Sequence, residues 1–142
     1  MALVTEIEAT ILFRIVIALI LGLALGIQRE RKKTEENSLG LAGLRTHTIV
    51  TIGSALVSAI GFVAISEDPL RLASSILTGI GFIGAGTIIA DKNRVKGLVN
   101  AATIWTAATI GMAAGLGFYV SATVVTLMTI VILELKRFEK VE

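Results

Sequence analysis

Residues 72–90 read LASSILTGIGFIGAGTIIA, nineteen residues with no charge and with glycine at 79, 81, 84 and 86. As one helix this run is about 29 Å long, close to the ~30 Å hydrocarbon core of a bilayer. Glycine weakens a helix in water, but in a membrane it lets neighbouring backbones approach. The run therefore reads as a transmembrane helix with Gly79, Gly81, Gly84 and Gly86 as packing positions, at the centre of a bundle. Gly79-Ile80-Gly81-Phe82-Ile83-Gly84 also matches the G-x-G-x-x-G pattern of dinucleotide-binding folds. That pattern needs a preceding strand and an acidic residue about 20 positions on. Here the glycines lie inside a span-length apolar run and the next acid, Asp91, comes only a few positions later. Helix packing is the reading that fits.

Working outward, five apolar segments cover 9–27, 46–65, 72–90, 98–115 and 118–135. A single helix over 98–135 would run about 57 Å, nearly twice what a bilayer needs, so Gly115-Leu116-Gly117 is expected to form a turn. The reading is an all-α integral membrane protein, one domain over residues 1–142, with five transmembrane helices. Of the 13 Lys and Arg residues, five spans place Arg29, Arg31, Lys32, Lys33, Arg45, Lys92, Arg94, Lys96, Lys136, Arg137 and Lys140 on one side. The other side keeps only Arg71, and Arg14 lies inside the first span. The positive-inside rule puts the N-terminus outside and the C-terminus in the cytoplasm. The first apolar stretch follows Glu6 and Glu8, not the basic region of a signal peptide.

Composition narrows the chemistry. The chain is 54% hydrophobic and 17% charged, and cysteine is absent, which excludes disulfides and thiolate metal sites. The net charge of +2 and the scatter of basic residues over the rims leave no nucleic-acid footprint. No Ser/His/Asp spacing, H-E-x-x-H or Walker loop occurs, so an enzyme is not expected. No cofactor is expected either. An association with Mg²⁺ stays open, since that ion keeps its waters and uses few carboxylates.

Single residues stand out against this background. Arg14 is a charge inside the first span, in an i, i+4 stripe with Ala18, Gly22 and Gly26 that is expected to face another helix. Asp68, just before Pro69 where the third span begins, is the expected partner of Arg14. The pair would be either a structural clasp or part of an ion or ligand site; the alternative is that Arg14 simply snorkels to the interface. At the cytoplasmic rim, Glu30 is expected to pair with Arg45, and the lone histidine, His47, to make a structural hydrogen bond or to sense pH. In the fourth span Thr103, Ala107, Gly111 and Gly115 repeat the small-residue spacing. Trp105 reads as an interfacial anchor and the fifth span as lipid-facing.

Arg14, the segment from Gly26 to Arg31, Gly43-Leu44-Arg45-Thr46-His47, Asp68-Pro69-Leu70-Arg71, the glycine run 79–86, and Gly97-Leu98 with Ala101-Ala102 and Trp105 occur in this order. Together they resemble the membrane domain of the MgtC/SapB family over nearly the whole chain. The resemblance implies a multi-pass protein of the bacterial or archaeal inner membrane. It also implies a link to magnesium limitation, acid stress and, in some members, virulence. A non-enzymatic regulator of magnesium homeostasis, membrane ATPases or membrane potential is the leading expectation, acting as a homo-oligomer such as a dimer or through other membrane proteins. An ion transporter or channel for Mg²⁺ or H⁺ is the alternative, with Arg14, Glu30 and Asp68 near the path. Three features depart from the family pattern: Gln28 replaces an acidic residue, Val99-Asn100 replaces Thr-Thr, and the chain ends at Glu142, where many members continue into a soluble domain.

Overall fold

The computed structural model describes residues 2–35, 42–64, 69–91 and 94–135. They form five helices, α1 (Ala2–Glu35), α2 (Leu44–Ala64), α3 (Pro69–Ala85), α4 (Leu98–Leu116) and α5 (Tyr119–Leu135), with two short strands, β1 (Ile89–Asp91) and β2 (Arg94–Lys96), between α3 and α4. Among the described residues three helices are long and apolar enough to cross a membrane: Val4–Lys32, Leu44–Val63 and Leu98–Leu116. Ser74–Ala85 and Tyr119–Leu135 are shorter apolar helices.

The bundle is packed through small residues and coated with large ones. Phe13, Ile20, Ile49, Phe82, Trp105, Leu127 and Val131 are exposed, whereas Ala18, Ala55, Ala59, Ala107, Ala108 and Ala114 are buried. That is the arrangement expected where lipid is as apolar as leucine and helices associate through close backbone packing. α2 and α4 form the centre: they pack on each other, α1 packs on both, and α4 touches every other helix. A Cβ added at Gly26 would lie 2.9 Å from the Leu44 backbone, and one at Gly22 would lie 3.0 Å from Thr51. On the other flank, an added Cβ at Gly111 would collide with the Thr51 carbonyl and one at Gly115 with the Ala55 carbonyl. The i, i+4 stripes of α1 and α4 read from the sequence are therefore both contact faces, and both grip α2.

Two expectations about the glycine-rich run are overturned. First, it is not the packed centre. Added Cβ atoms at Gly79 and Gly81 would meet nothing within 4 Å, and Phe82 beside them is 85% exposed. α3 lies on the periphery, touching α2 where Leu72 meets Gly61 and α4 where Gly84 meets Ala101. Second, the helix does not run to residue 90. It stops at Ala85, the Thr87 hydroxyl donates to the Gly84 carbonyl (2.8 Å), and the chain enters a hairpin pairing Ala90 with Val95. The β-branched sequence Thr87-Ile88-Ile89 after Gly86 favours an extended chain over a further helical turn.

The expected break between the last two segments is present. Gly117 takes φ 94°, its N–H donates to the Ala114 carbonyl, and the Phe118 N–H donates to the Ala113 carbonyl. This double closure is the left-handed glycine ending of a helix. α5 then runs parallel to α1: Tyr119 meets Phe13 edge-to-face at 5.8 Å, and Glu134 meets Lys32 at 3.2 Å. Most of its surface is exposed, as expected for a lipid-facing helix. Pro69 opens α3, a position where its missing N–H costs nothing.

Candidate functional site

Buried polar side chains cluster at opposite ends of the bundle, and between them lie the buried hydroxyls of Thr51, Ser54 and Ser58 on α2 and Thr126 on α5. At one end α1 contributes Gln28, Arg29 and Glu30, α2 contributes His47, and α4 contributes Asn100 and Thr103; all but Glu30 are buried outright. At the other end Arg14 of α1 meets the ends of α2 and α4. Arg14 and Gln28 are 14 residues apart on α1, so the two ends are about 21 Å apart.

The first end is organised by Glu30 and Gly43. The Leu44 N–H, an orphan donor of the first turn of α2, donates to Glu30 Oε2 at 2.9 Å. A carboxylate at a helix N-terminus is favoured by both the hydrogen bond and the helix dipole. A side chain at 43 would occupy the place of that carboxylate, so Gly43 is what admits it. Glu30 is thus a cap supplied by another helix. Arg45 is the partner expected for Glu30; here Glu30 Oε2 accepts the Leu44 N–H, and Arg45 is exposed.

Asn100 ties this end to the chain before α2, accepting the Ala42 N–H on Oδ1 at 3.0 Å. That bond fixes the amide orientation and leaves Asn100 Nδ2 buried with no hydrogen-bond partner among the described residues. His47 is fully buried, with Nδ1 2.9 Å from the Gly43 carbonyl and Nε2 3.1 Å from Thr103 Oγ1. A carbonyl only accepts, so Nδ1 carries a proton. Thr103 Oγ1 also lies 2.9 Å from the Asn100 carbonyl. Its single proton serves either the Asn100 carbonyl or His47 Nε2, and in the first case Nε2 must itself donate. The hydroxyl rotor and the ring's proton count are therefore coupled. Gln28 Nε2 donates to Glu134 Oε1 at 3.2 Å, and Glu134 also pairs with Lys32, joining α5 to this end.

At the second end Arg14, 8% exposed, donates from Nη1 to the Gly115 carbonyl at 2.7 Å, across 101 positions of sequence. Its Cζ lies 4.7 Å from the centre of the Phe62 ring. The carbonyl belongs to the last turn of α4, where the helix dipole is negative. Asp68, the partner expected for Arg14, lies outside the described residues. Arg71 is exposed on the first turn of α3. The sequence analysis missed the roles of Gln28, Asn100 and Thr103 at the His47 end; polar amides within or beside apolar spans were the available signal.

Mg²⁺ needs several converging oxygen donors. Among the described residues no three His, Cys, Asp or Glu side chains converge, and Glu30 and Glu134 are engaged with protein donors. The described residues do not fit a dehydrated Mg²⁺ cage.

Fold and polar ends together define an α-helical membrane protein. The sequence pattern of the MgtC family matches residues 15–141, and the chain belongs to that family. It is 38% identical over 135 residues to a protein of Escherichia coli K12 named putative magnesium transporter YhiD, covering 89% of this chain and 60% of the relative. It is 36% identical to protein SapB of Bacillus subtilis (82% of this chain, 52% of the relative) and 36% identical to protein MgtC of Salmonella typhimurium (78% and 46%). The chain thus spans about half the length of the curated relatives it matches. No solved structure matches it.

Proposed function

We propose that this chain is a non-catalytic regulator in the inner membrane of a bacterium or archaeon. It is linked to magnesium limitation or acid stress and works by contact with other membrane proteins, among them an ATPase, or with a second copy of itself. In this reading all five helices cross the bilayer, with the N-terminus outside and the C-terminus in the cytoplasm. The His47 end then faces the cytoplasm and the Arg14 end the outer side. Membership of the MgtC family supports the connection to magnesium.

The observation that carries the regulator reading is that, between the two polar ends, the buried side chains described are apolar residues and the hydroxyls of Thr51, Ser54, Ser58 and Thr126, with no charged group among them. Ala18, Leu21, Leu25, Ala55, Ala107, Ile110 and Ala114 form one buried apolar cluster there. Gly111 and Gly115 bring the α4 backbone onto α2. A conducting path needs polar groups converging near the midplane or a wet cavity. The name of the Escherichia coli relative favours the second reading, ion transport.

Flux of Mg²⁺ and H⁺ across liposomes carrying the purified protein separates the two. The regulator reading expects no flux above empty vesicles from folded, inserted protein. Flux that disappears in a folded Arg14→Ala variant overturns it and puts Arg14 beside the path.

A further inference from the structure

The Arg14 end holds a charge that its surroundings only partly neutralise. The guanidinium has five N–H donors in a planar fork. Nη1 donates to the Gly115 carbonyl, while Nε is buried with no acceptor among the described residues. Among the described residues no carboxylate pairs with it. The α4 C-terminus supplies roughly half a negative charge, and the face of the Phe62 ring adds a weak attraction. Burial of a cation in an apolar belt calls for more than that.

The fork also lies beside a glycine. Gly117 is a left-handed glycine (φ 94°), and a Cβ placed there would come to 3.7 Å from Nη2. With glycine at this position, residue 117 itself puts no side chain over Nη2. The level in the membrane says which anion is at hand. α2 and α4 end and α5 begins here, and exposed Phe62 and Phe13, the latter packed on Tyr119, mark the belt where aromatic rings meet headgroups.

We propose that Arg14, held by the Gly115 carbonyl and Phe62, is a binding site for a phosphate group, presented by an anionic phospholipid at the bundle's edge. Planar guanidinium and phosphate oxygens match as paired charge-assisted donors and acceptors. The bound anion completes the neutralisation of Arg14 and fastens a lipid where α1, α2 and the α4–α5 turn meet. The site does not depend on whether the protein regulates or transports.

Native mass spectrometry of the full-length protein from detergent tests this, with phosphatidylglycerol, phosphatidylcholine of the same acyl chains, and inorganic phosphate as probes. Wild type is expected to retain one phosphatidylglycerol per chain, about tenfold more tightly than phosphatidylcholine. Arg14→Gln is expected to lose that preference. Arg14→Lys, which keeps the charge but not the fork, keeps part of it and decides the matter if Arg14→Gln does not fold. Displacement of the retained lipid by millimolar inorganic phosphate supports a phosphate site filled from solution rather than from the bilayer. An equal lipid preference in wild type and both Arg14 variants overturns the proposal. So does a preference seen only in Asp68→Asn, which would make the chain's own carboxylate the counter-ion.

Discussion

Glu30, Gly43 and Leu44 show how one position without a side chain builds a contact between helices. The Glu30 carboxylate reaches the Leu44 N–H only because residue 43 offers no Cβ in its way. Glu30→Ala removes the cap and is expected to cost about 1–2 kcal/mol of stability. Gly43→Ala displaces the same carboxylate, so the double variant is expected to be scarcely less stable than either single one. Unfolding of the four proteins in mixed micelles gives the coupling; full additivity would show that the two substitutions act separately. Thr103→Val removes the rotor between His47 and the Asn100 carbonyl and leaves His47 Nε2 buried without its partner. A loss of about 1–3 kcal/mol is expected, and Thr103→Ser should restore most of it, both read by the same unfolding measurement.

At the scale of elements, glycines of identical sequence character have opposite roles. Gly26→Ala pushes α1 off the Leu44 backbone, and Gly111→Ala pushes α4 off Thr51. Each is expected to destabilise by about 1–3 kcal/mol through overpacking. Gly79→Ala has open space and a helical backbone, so it is expected to be neutral or to stabilise by up to about 1 kcal/mol. Thermal unfolding of the three variants side by side checks the order. A Gly79→Ala as damaging as Gly26→Ala would mean that the exposed face of α3 is packed against protein. The β1–β2 hairpin belongs to the same scale: it takes up the end of the run that a longer α3 would have used, and Gly97 (φ 89°) closes it against Thr87 before α4 starts.

At the scale of the molecule, the proposed five-span topology commits each connection to one side of the membrane. Because the chain has no cysteine, a single introduced thiol reports its own side without background. Ser38→Cys and Val141→Cys are expected to be protected from an impermeant maleimide in whole cells, and Ser66→Cys to be labelled. The same side for positions 38 and 66 would remove a crossing at α2 and overturn the five-span topology.

The sequence by itself determined the class of protein, the stripes on α1 and α4, and the break before α5. Each is a local or periodic signal: apolar length, glycine or alanine every four residues, and a glycine at 117 able to turn left-handed. Arg14 was legible as an oddity because a charge among apolar neighbours is conspicuous in any register. What it touches was not, since the Gly115 carbonyl is a backbone group far away in sequence and carries no side-chain signature. The same holds for Glu30, whose partner is an N–H of another helix where a charge pair with Arg45 had looked natural. Only the tertiary structure decided that α2 joins α4 at the centre and that α3 is the margin. Glycine tells that a backbone can be approached; whether another helix approaches it depends on how the other four fill space, and that is a property of the whole bundle.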